Sequence, residues 1–484
     1  MKRMLFVALM AAIPLLPGFD RALRAQNAPT AIEEAARAMG TTNLQSIQYS
    51  GTGSTFGFGQ APGPDAPWPR FDLLKYVATI NYGEPVMREQ FARLDVEDPP
   101  RGGGAGPFNP ATGQGGMRPI PGEHVQTRLQ DGRTDAGLLD IWLTPHGFLK
   151  AAAAHDAAIT TATIGRQTIR TISFTALGKY PVAGTLDDRN LVSSVTTRVA
   201  NPVLGDMLVE AIYSDYREFS GVMFPTRIVE RQGGHPTLEL TVGDVQPNSA
   251  EARDLRARPA AAPRPPLTVG AQPIADGVWF LTGGAPLSIL VELDDAFVVI
   301  EGPQNEEHSN AVIAEVERMN PAKPIRYVVN THHHFDHAGG LRGFVAAGIT
   351  IVTHRINQPY YARIFQNPFL LSPDALALSG RPATFLIVED KRVLTDGTQT
   401  LELYHIRGNP HDDALLMAYL PNEKMLVQAD AFHPRPGAAP LPAPSPFTVN
   451  LLENIERLGL DVETLVHVHG GTDPFEALVR AAGR

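Results

Sequence analysis

The period of the hydrophobic positions changes near the middle of the chain. Upstream, short runs alternate apolar and polar residues: "IQYSGTGSTF", "KYVATINYG", "VMREQFARLD", "TIRTISFTAL", "LVSSVTTRVA", "VEAIYSDYREF" and "TLELTVGDVQ". A two-residue period puts the apolar side chains on one face of a strand, and the "GG" and "DG" pairs between runs are turn signals. The pattern predicts a mainly antiparallel, β-rich amino-terminal domain. One helix, "PTAIEEAARAMG", precedes the strands, with Thr30 at its N-cap and Glu33 three residues on as in a capping box.

Downstream, strands alternate with helices. "SILVEL", "AFVVIEG", "IRYVVNTH", "ITIVTH", "TFLIVED", "TLELYHI", "ALLMAYLP", "KMLVQAD" and "TLVHVHG" are short and apolar, and "EEHSNAVIAEVERMN" places Val312, Ile313, Val316 and Met319 at helical spacing. Strands apolar on both faces belong to sheets covered by helices, so this half reads as an α/β layered domain and the whole chain as α+β. Between the halves, "AEARDLRARPAAAPRPPLTVG" has neither period and reads as a linker. A second irregular stretch, residues 99–122, is rich in glycine and proline and reads as an insertion within the first half.

The amino terminus adds a compartment to this picture. Lys2 and Arg3, an apolar stretch from Met4 to Phe19 broken by Pro14 and Pro17, and small residues near Ala25 have the layout of a secretory signal peptide, too short for a membrane span. The expected organisation is a signal peptide over residues 1–25, a β-rich domain over 26–250, a linker over 251–267 and a second domain over 268–484. A periplasmic or secreted protein follows, with no integral membrane segment after cleavage. Formal charge is −10, and −13 once the basic leader is removed, which argues against nucleic acid as a partner. Cysteine is absent, so disulfides do not contribute.

Candidate chemistry concentrates in the second half. Ten of the fifteen histidines fall between His332 and His469, and "THHHFDH" crowds His332, His333, His334, Asp336 and His337 at the end of a strand. In extended chain His332 and His334 project to one side and His333 to the other. Imidazole and carboxylate are the ligands zinc takes when no thiolate is offered, and a catalytic zinc needs about three of them with one position open. The local set is short of two shells, and three further candidates stand at strand ends: His411, Asp430 and His469. In the first half, His124, His146, His155 and His235 stand apart and read as ordinary surface or core residues.

The H-x-H-x-D-H motif formed by His332, His334, Asp336 and His337 resembles that of the metallo-β-lactamase superfamily, over about residues 268–484. The resemblance implies an αββα sandwich. It implies one zinc held by His332, His334 and His411, a second held by Asp336, His337 and His469, and Asp430 bridging the two. Fe or Mn are the other metals such sites take. Glu301 stands where the family often has a supporting aspartate, and His467 competes with His469 for the last ligand position. His354 and His405 match no ligand position and read as core or surface, while His433 stays open. Hydroxide held between two zinc ions would attack an ester, thioester, lactone or β-lactam carbonyl of a small-molecule substrate, with Asp336 orienting it. The proline-rich residues 431–449 would form a stiff rim, in which Arg435 either meets a substrate carboxylate or is a solvated loop residue, before a helix from Asn450 packed by Leu451, Leu452, Ile455 and Leu458.

Two other functions belong beside this one. The same fold hosts iron-dependent oxidoreductases, whose di-iron members usually carry glutamate where this chain has His334. The amino-terminal domain, through "YSDYREFSGVMFPTRIVERQGG", weakly resembles periplasmic lipoprotein carriers, which implies a binder of lipid or another hydrophobic envelope ligand.

Overall fold

The computed structural model describes residues 28–103, 123–164, 167–257, 265–433 and 443–484. The leader stretch, most of the glycine-rich insertion, residues 258–264 of the linker and Arg435 lie outside them. All seven alternating runs form strands of one antiparallel sheet. Its eleven strands run from Glu123–Asp131 at one edge, through Val86–Asp95, Arg70–Asn81, Ser46–Phe56, His235–Pro247 and Val222–Gln232, to Ala158–Ile164 at the other. Gly233 and Gly234 both have positive φ, at 58° and 89°. That is the conformation a two-residue hairpin needs to match strand twist, and only glycine adopts it twice without steric cost.

One face of this sheet is covered by helices. Helix Ala28–Ala38 lies there through Ile32 and Ala35, and Asp135–Leu143 and Pro145–Ala154 bring Leu139, Ile141, Phe148 and Leu149 against Ile47, Tyr76, Ile172 and Phe224. The first helix already includes Ala28, three residues ahead of the start its capping box predicts at Ala31, so Thr30 lies inside the first turn and is not the N-cap. Thr144 separates the other two. Its hydroxyl accepts from Gly147 N while Pro145 opens the next helix, where a missing N–H costs nothing. The expected linker also begins with order: Ala250–Asp254 is a helical turn capped by Ser249, and Asn81 Nδ2 donates to the carbonyls of Arg253 and Leu255.

The second half contains two further sheets. Seven strands run in the order Gly270–Ala275, Val278–Thr282, Ser288–Glu292, Phe297–Ile300, Ile325–Val329, Thr350–His354 and Phe385–Val388, the last four mutually parallel. Six run in the order Lys391–Thr395, Thr400–His405, Leu416–Leu420, Met425–Gln428, Thr464–His467 and Thr472–Pro474. Val298 and Ile300 meet Leu403, Leu416, Val427 and Val466 between the sheets. Their neighbours Phe297 and Val299 face outward onto Val312, Val316, Leu341 and Phe344 of the helices Glu306–Met319 and Leu341–Ala347. A strand buried on both faces needs a core on each, and the chain supplies both.

The other sheet is covered likewise. Helix Pro446–Leu458 packs Leu451, Leu452 and Ile455 on Leu415, Met417 and Leu426. It begins four residues before Asn450, with proline in its first turn. The layers are helix, sheet, sheet, helix. Among the described residues no helix is long and apolar enough to cross a membrane.

Candidate metal centre

Strand Ile325–Val329 lies in the interior of its sheet, and its end delivers residues 330–334 to one rim of the sandwich. The loop is held from below. Asn330 Nδ2 donates to His332 O at 2.6 Å, and Tyr361 OH donates to Asn330 Oδ1 at 2.6 Å. A short helix, Phe335–Ala338, then carries Asp336 and His337. Gly339 is required where it stands, since a Cβ there would lie 1.9 Å from Gln304 O. From the second sheet, Asp430 follows strand Met425–Gln428 in a left-handed conformation, φ 63°, that aspartate adopts only when its surroundings enforce it.

These elements bring the seven expected residues together. Ligand atoms of His332, His334, His411 and Asp430 lie within 4.8 Å of one another, and so do those of Asp336, His337, Asp430 and His469. Asp430 belongs to both groups. Its Oδ2 is 3.3 Å from His332 Nε2, 3.2 Å from His411 Nε2 and 3.0 Å from His337 Nε2, while its Oδ1 is 2.6 Å from His469 Nε2.

The polar atoms of this cluster fit a cation. His334 Nδ1 and His337 Nε2 are buried and make no hydrogen bond, although Asp430 Oδ2 approaches the latter. Imidazole nitrogens left so inside a protein are costly unless something accepts their lone pairs. Burial, and then the neighbouring imidazoles, push His332 and His334 well below the ordinary histidine pKa, so both are neutral donors. Burial also opposes charge on His337, yet Asp430, Asp336 and Glu301 together raise it well above the ordinary value. Burial would raise Asp430, but His337 and His469 hold it well below the ordinary carboxylate range. The carboxylates around His337 thus favour positive charge, while His332 and His334 keep their lone pairs free.

The outer nitrogens have firm partners. Glu301 Oε2 receives His337 Nδ1 at 3.1 Å and Thr331 Oγ1 at 2.6 Å, and Thr331 Oγ1 lies 2.9 Å from His332 Nδ1. Glutamate therefore makes the supporting contact expected of an aspartate. Glu301, His332 and His337 are also close enough to count as a third metal-capable group, but the side of His337 that Glu301 meets faces away from Asp430. His333 points elsewhere, as alternation predicts, and its Nδ1 pairs with Asp412 Oδ2 at 2.5 Å.

Of the competing histidines, His467 is engaged by Gln428 Nε2 at 2.7 Å and by Asp473 at 3.2 Å, outside both groups. His433 Nε2 lies 3.3 Å from Asp430 Oδ1 beside the His469 ring. His354 and His405 lie against each other, rings tilted by 33° at 4.1 Å, beside Arg407. His146 is buried against Phe224, and His235 stacks on Trp68. The rim of the centre is uneven: His332, His334 and His337 are fully buried, whereas the side chains of His469 and His433 are 17% and 15% exposed. That side is the open one.

Sequence reasoning missed one contributor. Residues 57–69, between strands Ser46–Phe56 and Arg70–Asn81 of the first sheet, lie against the motif, where Gln60 Nε2 donates to Asp336 Oδ1 at 2.8 Å and His334 Nε2 donates to Ala61 O at 2.7 Å.

Residues 282–469 match the family model described as the metallo-beta-lactamase superfamily. A curated relative, the alpha subunit of 2,4-dinitroanisole O-demethylase from Nocardioides sp. (strain JS1661), is 25% identical over 199 residues, which are 41% of this chain and 56% of that protein. The chain thus matches little more than half the length of that relative. Among solved structures, metallo-beta-lactamases from Pontibacter korlensis and Hirschia baltica each align at 19% identity with a TM-score of 0.34. They cover 45% of this chain and 98% and 97% of their own. The family-model match over residues 282–469, with the helix–sheet–sheet–helix layers, identifies the two-sheet half as having the metallo-β-lactamase fold, preceded by an antiparallel β-rich domain and carrying a His/Asp cluster suited to metal.

Proposed function

We propose that the chain is an exported, dinuclear zinc-dependent hydrolase that acts on an ester, thioester, lactone or β-lactam. The observation that carries this reading is the placement of Asp430 between two groups of ligands, one carboxylate within reach of five imidazoles, four of them the expected ligands His332, His337, His411 and His469. In it, His332, His334 and His411 would hold one ion, Asp336, His337 and His469 the other, and Asp430 both. Two such ions would supply a water deprotonated near neutral pH and Lewis acidity for the substrate carbonyl.

The chain's own residues do the rest. Glu301 and Thr331 orient the imidazoles of His337 and His332 from behind. Asp336 presents Oδ2 to the cluster while Oδ1 is occupied by Gln60. Burial of His332, His334, His337, Asp336 and His411 excludes bulk water and strengthens every charge interaction within. Substrate would enter past His433 and His469. Export rests on the leader-like residues 1–25, and the division into domains at 26–250 and 268–484 belongs to the same reading.

The test is elemental analysis of protein purified without chelator or added metal, beside His334→Ala. About two zinc per chain, reduced in the variant, is the expected result. It would be followed by a screen of lactones, thioesters, β-lactams and 2,4-dinitroanisole, the compound for which the curated relative is named. Iron with redox activity would overturn the hydrolase in favour of oxygen chemistry. No metal at all would leave a binding protein.

A further inference from the structure

The contact between the amino-terminal domain and the His/Asp cluster is polar, buried and directional. Gln60 is 5% exposed, so its bond to Asp336 is not readily exchanged for water. A carboxylate can rotate about its last bond. A donor fixed on Oδ1 stops that rotation and leaves Oδ2 facing His337 Nε2, 3.5 Å away. Likewise a histidine has two tautomers. With Ala61 O accepting from Nε2–H, the lone pair of His334 is on Nδ1, the buried atom that otherwise has no partner.

The loop is seated closely enough to hold these atoms in place. Gly59 has φ +68°, and a Cβ on it would fall 2.3 Å from the Phe335 ring, so backbone rests directly on the motif. Phe335 N donates to Gly59 O, and Asp413 N, two residues past His411, donates to Pro62 O at 2.8 Å. Phe58 and Trp68 meet the Phe335 ring edge-on at 5.3 and 6.2 Å, and Trp68 stacks on His235 of the first sheet at 4.7 Å. From the other side Gly103 N donates to Gln60 O at 3.0 Å, and Gly102 N donates to Pro410 O at 2.8 Å. A Cβ on Gly103 would lie 2.3 Å from Gln60 Oε1 and 3.1 Å from His411 Cε1. Glycine is what lets the loop, the carboxamide and the imidazole stack without a gap.

We propose that the amino-terminal domain completes the metal centre: Gln60 is a positioning residue for Asp336, and the Ala61 carbonyl fixes the tautomer through which His334 offers its ligand atom. This rests on the reading of the cluster as a two-metal site. It gives the β-rich domain a direct part in the chemistry of the second domain, at a distance of 276 residues in sequence. Partners that orient metal ligands are worth roughly 10–100-fold in metal affinity, which sets the size of the effect.

The experiment titrates cobalt(II) into the full-length chain and follows absorption of each site, with the thermal midpoint of metal-free protein measured alongside. Gln60→Met keeps the side-chain volume and removes the donor, Gln60→Ala removes both, and Asp65→Ala, at an exposed point of the same loop, is the control. Expected are two cobalt ions in the wild type and in Asp65→Ala. In Gln60→Met and Gln60→Ala alike, the affinity of the Asp336 site falls about 10–100-fold and its spectrum changes, with the metal-free midpoint kept. If Gln60→Met binds both ions as the wild type does, the loop is packing only and the inference fails while the two-metal reading stands. A fall in the metal-free midpoint with equal loss at both sites would overturn it in the same way. A wild type that binds no cobalt would overturn both.

Discussion

Glu301 and His337 are joined by a buried bond, Oε2 to Nδ1 at 3.1 Å, and Glu301 reaches it from a left-handed backbone at φ 81°. The same carboxylate accepts from Thr331 Oγ1 and, more distantly, from Thr331 N and Asn330 Nδ2. Replacing Glu301 by alanine leaves His337 Nδ1 and the two Thr331 donors unpaired in a dry interior. Each orphan costs roughly 1–3 kcal/mol, so the predicted loss of stability is about 3 kcal/mol or more, read by urea denaturation. Metal affinity should fall with it, since His337 loses the partner that aims it.

Asp412 makes a second prediction on the other side of the motif. It is fully buried, and its partner is His333, not a ligand. Burial would raise its pKa, but His333 lowers it below the ordinary carboxylate value. A depressed carboxylate stabilises the fold above its ordinary pKa and gives that stability up as pH falls through its lower, folded value. Asp412→Ala should cost roughly 1–3 kcal/mol for each donor it orphans, because His333 Nδ1 and Ala414 N both lose their acceptor in the interior. It should also flatten the acid limb of a stability profile between pH 2 and 5. An unchanged limb would mean that Asp412 carries none of the acid sensitivity.

What could be read from sequence, and what could not, follows from how local each signal is. Strands such as "AFVVIEG" announce burial on both faces through composition alone, and the spacing of His332, His334, Asp336 and His337 fits a single strand end. His469 and His467 could not be separated by alternation, since they share a parity. The strand ends at His467, and the following turn sends the two rings different ways. Helix Asp135–Leu143 was invisible because "GLLDIWL" is apolar on nearly every side and has no stripe to detect. Gln60 could not be found at all. It is an uncharged residue in a glycine- and proline-rich turn, and only the approach of one domain to the other gives it a role.

The two groups of ligands should separate under mutation. His411→Ala removes a member of one group, His469→Ala a member of the other, and Asp430→Ala a member of both. The expected metal contents are about one, one and near zero ions per chain at micromolar free zinc. Metal removal should lower the thermal midpoint as well, because an ion at 1,000 times its dissociation constant adds about 4 kcal/mol to the folded state. Equal contents in the first two variants and Asp430→Ala would mean that the carboxylate is not shared.

The last prediction concerns the first domain, far from the motif. Burial raises Glu230 to about 8 and Asp140 to about 7, and in both cases the charge of Glu89 adds to the shift. Glu89 is itself bonded by Tyr76 OH at 2.6 Å, so it has a fixed place in the group. A carboxyl whose folded pKa lies above its ordinary value keeps a proton in the fold at pH values where the unfolded chain has released it. The unfolded state then binds fewer protons, and stability falls as pH rises from about 4.5 through about 8. Glu230→Gln keeps the shape and removes the titration. The wild type should lose thermal midpoint between pH 6 and 9, and the variant should lose less, by about 2–4 °C for each kcal/mol of penalty removed. Parallel profiles for the two proteins would show that Glu230 titrates as freely in the fold as out of it. Because the comparison is between two chains with the same metal ligands, whatever the metal centre itself contributes over that range cancels.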